Sequence, residues 1–199
     1  MVRLLSDLEK NGLRYLSNTL FNRYLDVKGG CIDDLGMLSV LPHYMSKIQN
    51  TSAIKNPIKL IAVGELLGGE KSRMSRELAP LIYCAAGARI VRADVVRKRI
   101  MGLLLSGRLL LHGYTGEINQ RTYDLFYKEL EIAIEQGYQV IEDSFCALLE
   151  QRAGVEVLAD KLNVDFCGLW VMAPAYERIR QPKKCIRYYR NQNSTSDFL

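Results

Sequence analysis

The chain's pattern predicts an α/β fold, a parallel sheet covered by helices on both faces and preceded by a helical hairpin. Short apolar runs of strand length recur at residues 59–63, 88–92, 139–142 and 166–172, and each of the first three is followed by a stretch of helical length. Repeated βα units of this size require crossover connections, which bury a parallel sheet from both sides. Between the first strand and its helix stands Gly64-Glu65-Leu66-Leu67-Gly68-Gly69-Glu70-Lys71-Ser72. That is a glycine-bearing loop at the carboxyl end of a strand, where ligands of such sheets bind.

Residues 3–49 show helical periodicity in two pieces. Leu4, Leu8, Leu13, Leu16, Leu20, Phe21, Tyr24 and Leu25 recur at three- and four-residue spacing, Gly29-Gly30 breaks the run, and Leu35, Leu38, Leu41, Tyr44, Met45 and Ile48 resume it. This is the helical hairpin, and residues 1–50 form a first unit. Residues 51–57, polar and closed by Pro57, read as a linker. Residues 58–181 then alternate: strand 59–63, helix 71–84, strand 88–92, helix 94–105, amphipathic helix 121–136, strand 139–142, helix 148–162 and strand 166–172. Residues 182–199 read as a basic, disordered tail.

With 199 residues, 48% of them hydrophobic, the chain can build one full α/β domain plus an appendage and is too apolar to be disordered. No window approaches the roughly 18 uncharged apolar residues of a membrane span, and the first ten residues carry Asp7 and Glu9 in place of a signal-peptide core. A cytoplasmic protein with no membrane partner is expected. Five cysteines, an odd and scattered set without a C-x-x-C pair, point to free thiols. The net charge of +5 is concentrated at the end, where Arg178, Arg180, Lys183, Lys184, Arg187 and Arg190 face only Glu177 and Asp197. Interleaved Tyr188 and Tyr189 allow a nucleic-acid-binding arm. The polar end, Asn191 to Ser196, favours a solvated basic terminus instead, so nucleic acid is not the expected partner.

The loop carries the chemistry. Lys71 and Ser72 stand in register with the last two positions of G-x-x-x-x-G-K-[ST], the P-loop, whose backbone N–H groups and lysine close on the β- and γ-phosphates of a nucleotide while the hydroxyl takes Mg²⁺. Its two required glycines are replaced by Glu65 and Glu70. A side chain there obstructs the sharp turn and the close approach to phosphate. A carboxylate also repels the ligand: at about 4 Å and an effective dielectric of about 20, one facing a unit of phosphate charge costs on the order of 4 kcal/mol. Micromolar binding amounts to only about 8 kcal/mol, so nucleotide binding is expected to be impaired.

Two further sets stand after the next strands. Asp94 and Arg97, three apart, share the first turn of a helix, where a carboxylate can take a hydroxyl proton and a guanidinium can hold an anionic group. The bland alternative makes Asp94 an N-cap and residues 97–99 a solvated basic face. Glu142-Asp143 ends the apolar Val140-Ile141 run, a suitable place for an acid on Mg²⁺ or its water shell, or for an acid capping the following turn. His43 and His112 read as structural.

Three stretches, VGELLGGEKSRMSRELAP, GARIVRADVVRKRIMG and YTGEINQRTYDLFYKELEIAIEQGYQVIEDSF, together resemble the P-loop kinase-like ATP-binding domain of bacterial proteins that join an aminoglycoside phosphotransferase-like domain to an AAA-family ATPase. Zeta toxins and polynucleotide kinases are looser relatives. The similarity runs over residues 58–181, and residues 1–50 resemble the last helices of the phosphotransferase-like domain. The resemblance implies a P-loop NTPase or kinase-like domain that is incomplete, lacking most of the first domain and the arginine-bearing lid of the second. It places Gly64, Gly68, Gly69, Lys71 and Ser72 on the phosphate loop, Asp94 and Arg97 on the acceptor element, and Ser72 with Glu142 or Asp143 at the metal. ATP and Mg²⁺ are the implied cofactors, with an unidentified acceptor. The resulting expectation is an ATP-binding phosphotransferase with impaired nucleotide binding; the alternatives are a non-catalytic remnant and a nucleic-acid-binding module using the basic tail. The apolar stripe of the N-terminal helices, read as facing a domain outside the chain, implies self-association.

Overall fold

The computed structural model describes residues 2–28, 59–65, 71–82, 86–144 and 149–171. These form helices α1 (Val2–Lys10) and α2 (Arg14–Lys28), strand β1 (Lys59–Glu65), helix α3 (Lys71–Leu78), strand β2 (Arg89–Arg92), helix α4 (Ala93–Ile100), helix α5 (Gly116–Glu135), strand β3 (Val140–Asp143), helix α6 (Leu149–Lys161) and strand β4 (Asp165–Val171). Short 3₁₀ turns follow α3 at Ala79–Leu81 and precede α5 at Leu111–Tyr114. The strands form one all-parallel sheet in the order β2-β3-β1-β4. The expected α/β class and parallel sheet are therefore present. The linker 51–57, the second hairpin piece 35–48 and the tail 182–199 lie outside the described residues.

Side chains alternate across the strands and separate two cores. Leu60, Val91 and Val140 pack with Phe126, Leu130 and Val155 under α5 and α6, whereas Ile61, Val63, Ile90 and Ile141 pack with Ala79 and Leu78 at the end of α3. Helices end where the local chemistry requires. Pro80 tightens the end of α3 into a 3₁₀ turn, shortening a helix that periodicity extends to residue 84. Gly102, at φ +67°, follows α4 and ends it before the expected residue 105. Thr115 Oγ1 accepts from the Ile118 N–H and opens α5 five residues earlier than its apolar period suggests.

The N-terminal helices belong to this same fold. Leu5, Phe21 and Leu25 are buried in the α5/α6 core, so residues 2–28 share a core with the sheet, in contrast to the expectation that their stripe faces an absent domain. Leu4, Leu13 and Leu16 of that stripe do remain exposed. A second, polar stripe on α2 seals the sheet edge. Asn18 donates to the Ala86 and Ala88 carbonyls, Asn22 donates to the Ala88 carbonyl at 3.1 Å and accepts from the Ile90 N–H at 2.7 Å, and Asp26 accepts from Arg89 at 2.9 Å and from Arg92. Four residues of helix advance about 6 Å and two residues of strand about 6.6 Å. A spacing of four on α2 therefore keeps step with alternate edge groups of β2.

Gly87 lets the chain enter β2. Its φ of +70° is the left-handed region, and a Cβ there would overlap the Ala79 carbonyl and come within 2.8 Å of Asn18 Nδ2.

Candidate functional site

In the order β2-β3-β1-β4 the chain leaves β1 toward β2 and leaves β3 toward β4, so neighbouring strands send their connections in opposite directions. A crevice opens at such a switch point, at the carboxyl ends of the strands. Lys71, the first residue of α3, spans it: its Nζ donates to Oδ1 of Asp143, the last residue of β3, at 2.7 Å. The two side chains are 13% and 1% exposed. An ion pair this buried contributes little net stability, but losing one partner strands the other and costs about 3–5 kcal/mol.

The register identifies which acid belongs to the crevice. Glu142 pairs with Ala62 and Val91 on the α5/α6 side of the sheet and is fully buried there. Asp143, one residue on, emerges on the α3 side and is the acid that meets Lys71. Its Oδ2 is buried and has no hydrogen-bond partner among the described residues. Ser72 is half-buried in the first turn of α3, and the buried Ser75 Oγ donates to the Lys71 carbonyl at 3.1 Å, tightening that turn. Gly64 is buried in β1 beside Trp170 of β4. Gly68, Gly69 and Glu70 lie outside the described residues.

Asp94 and Arg97 part company. Asp94 is exposed in the first turn of α4, at the same end of the sheet as Lys71 and Asp143. Arg92 holds the N-cap position, so the capping role considered for Asp94 does not apply. Two inter-strand spacings put the end of β2 about 10 Å from that of β1. Arg97 is buried and committed internally: it donates to the Gly113 carbonyl at 3.0 Å and to Asn119 Oδ1 at 2.6 Å, with its guanidinium 4.6 Å over the Tyr114 ring. These contacts tie the Leu111–Tyr114 turn and the start of α5 to α4, in contrast to the shared open face that the three-residue spacing implies.

No protein-family model matches the chain, and no curated protein matches it. Among solved structures, one described as "Crystal structure of APE1195" is similar at 17% identity and a TM-score of 0.51, over 72% of this chain and 79% of that one. That likeness shows the fold alone. No helix among the described residues is long and apolar enough to cross a membrane.

The sequence reading passed over Asn18, Asn22 and Asp26. Their signal was available: three short polar side chains recur at intervals of four along the helical run 14–28, on the acid-bearing face that Arg89 and Arg92 meet at Asp26.

Proposed function

We propose that this chain is a P-loop-type, kinase-like ATP-binding protein with impaired nucleotide binding. The observation that carries the reading is the Lys71–Asp143 ion pair across the β1/β3 switch point. A lysine opening the helix after β1 and an acid ending β3 are the two charges that a phosphate–Mg²⁺ site needs, and they stand in contact. In this reading Lys71 neutralises phosphate, and the Ser72 hydroxyl and Asp143 hold Mg²⁺. The donor set fits that ion. Asp143 has an acceptor oxygen to spare, and the described residues hold no group of three or more His, Cys, Asp or Glu. A cation would therefore rest on one carboxylate, a hydroxyl, water and phosphate oxygens, the habit of Mg²⁺. Mg²⁺ bound there would supply charge neutralisation to a phosphoryl group. Asp94, an exposed carboxylate at the same end of the sheet, is the group able to accept a proton from an acceptor hydroxyl.

The engagement of Arg97 and the two glutamates favour a second reading, a domain that keeps the fold without turnover. Calorimetric titration with Mg-ATP separates them. The unmodified chain should bind weakly, Glu65→Gly/Glu70→Gly should bind at least about tenfold tighter, and Lys71→Ala should abolish the gain. Micromolar binding by the unmodified chain would overturn the account of the glutamates. A double variant that binds nothing would leave the non-catalytic reading. The nucleic-acid reading rests on the tail outside the described residues, and salt-dependent oligonucleotide binding tests it.

A further inference from the structure

We propose that two copies of this chain associate through β4, pairing antiparallel about Gly168 so that two four-stranded sheets become one of eight strands. The two outer edges of the sheet are treated differently. That of β2 is sealed by the amides of α2, whereas β4 contacts chiefly β1 and α6, and no described element lies along its outer side. Residues 165–170 of this strand are all exposed, and Phe166, Leu169 and Trp170 leave 36%, 37% and 39% of their surface to solvent. Open sheet edges are normally blunted by lysine, proline, a bulge or shortness. β4 runs for seven residues with neither lysine nor proline, and its one charge, Asp165, stands at its start. This edge is at the opposite end of the sheet from the N-terminal helices and their exposed leucines, which adjoin β2.

The occupant follows from the strand's own sequence. In a closed antiparallel pair of identical strands the residue on the axis faces itself, and each residue on one side faces its counterpart on the other. With Gly168 on the axis every residue of β4 is paired: Phe166 faces Trp170, Cys167 faces Leu169 and Asp165 faces Val171. The register with β1 sets Phe166, Gly168 and Trp170 beside Leu60, Ala62 and Gly64, on the α5/α6 side of the sheet. An aromatic pair therefore flanks the axis on each side, the kind of cross-strand contact that stabilises a ladder. The missing side chain of Gly168 leaves room between them, and the Phe166 ring already lies 3.8 Å from where a Cβ there would stand. The two Asp165 carboxylates come to rest six residues apart along the ladder. That is about 20 Å, beyond a Debye length at physiological salt, so they do not oppose the pairing. The exposed parts of Phe166, Leu169 and Trp170 offer on the order of 200 Å² per copy. With the backbone edge added, the interface belongs to the small class below about 1,200 Å² in total, which makes a reversible, concentration-dependent pair.

Sedimentation velocity of the full chain over a range of concentrations tests the pairing. The mass should rise from one copy toward two. Leu169→Lys and Leu169→Glu each set like charges diagonally across the axis, and each should weaken association at least about tenfold. Mixed in equal amounts, the two variants should associate with each other, which also shows that neither has merely lost its fold. In Leu169→Cys the new thiol faces the exposed Cys167 of the other copy, and mild oxidation should join them in an intermolecular disulfide located by peptide mass spectrometry. A chain that remains a single copy at every concentration overturns the proposal. So do an association that both charged variants leave unchanged and a mixture of the two that stays apart, and an intermolecular disulfide that avoids Cys167 overturns the Gly168 register.

Discussion

Asn22 does for the outer edge of β2 what a neighbouring strand would do: its Oδ1 accepts from the Ile90 N–H at 2.7 Å and its Nδ2 donates to the Ala88 carbonyl at 3.1 Å. An edge strand exposes alternate donors and acceptors that invite pairing with other chains. One primary amide carries both complements, so a helix can cover the edge through side chains alone. Asn22 Oδ1 also accepts from Arg89 at 3.2 Å, joining the amide to the Asp26 cluster.

Truncating that amide should cost more than an ordinary surface change. Asn22→Ala leaves the buried Ile90 N–H without its acceptor, at about 1–3 kcal/mol, whereas the Ala88 carbonyl keeps its bond from Asn18. Chemical denaturation should therefore show a loss of roughly 1–3 kcal/mol. Asn22→Asp, which keeps the acceptor and discards the donor, should fall between. A loss under about 0.5 kcal/mol would mean that water replaces the amide freely.

The same contacts make α1 and α2 necessary to the sheet. Leu5, Phe21 and Leu25 are 0%, 0% and 4% exposed. Burying three such side chains is worth about 5–9 kcal/mol, which approaches the whole stability of an average domain. Removing residues 1–28 should abolish cooperative thermal unfolding and leave an aggregating chain. A truncated protein with an unfolding midpoint near that of the full chain would place these helices outside the cooperative unit.

Legibility in the sequence followed the strength of the periodic signal. The apolar run Leu60-Ile61-Ala62-Val63 and the Val140-Ile141 pair marked their strands to within two residues, because a doubly covered parallel strand must be apolar on both sides. Helix ends were less clear. Pro80 and Gly102 were visible as residues, but their stopping power depends on backbone angles that apolar periodicity does not report. Lys71 was legible from its spacing to the glycines, and its contact with Asp143 was not. Strand order brings β3 beside β1, and order is a property of the assembled sheet. Arg97 shows the opposite failure. A cation at a suitable spacing reads as a ligand group until its carbonyl, amide and ring partners are known.

Gly87→Ala should be among the most damaging single-methyl additions in the chain. It forces a Cβ into the left-handed region at φ +70° and against the Ala79 carbonyl, whose own bond from the Ala88 N–H at 2.8 Å would be displaced. The backbone term alone is about 1–3 kcal/mol. Gly102→Ala is the control. Its φ is +67° with open space around the added carbon, so the difference between the two variants isolates the steric part. Equal losses, measured by denaturant midpoints, would show that the 3₁₀ turn yields.

The last expectation concerns Glu129 and pH. Glu129 of α5 is paired with Arg99 of α4 and lies near Arg89 and Asp26, so it joins the helix pair to the α2 cluster. Burial raises its carboxyl above the usual 4.5, outweighing the opposing pull of Arg99 and Arg89, with Asp26 adding to the rise. The sign follows from linkage. A folded-state value above the unfolded one means the folded chain holds the proton more tightly, so the contribution is fully present below the unfolded value and is lost as pH rises through the folded one. The stability of the unmodified protein relative to Glu129→Gln should therefore fall as pH is raised above 4.5 and level off once the folded carboxyl is ionised. Glutamine keeps the shape and an acceptor for Arg99 while removing the titration, so the other carboxylates cancel in the difference. Denaturant midpoints of the two proteins taken across that range give the comparison directly. A difference that rises with pH would mean that the ion pair with Arg99 dominates burial and holds the carboxyl below its usual value.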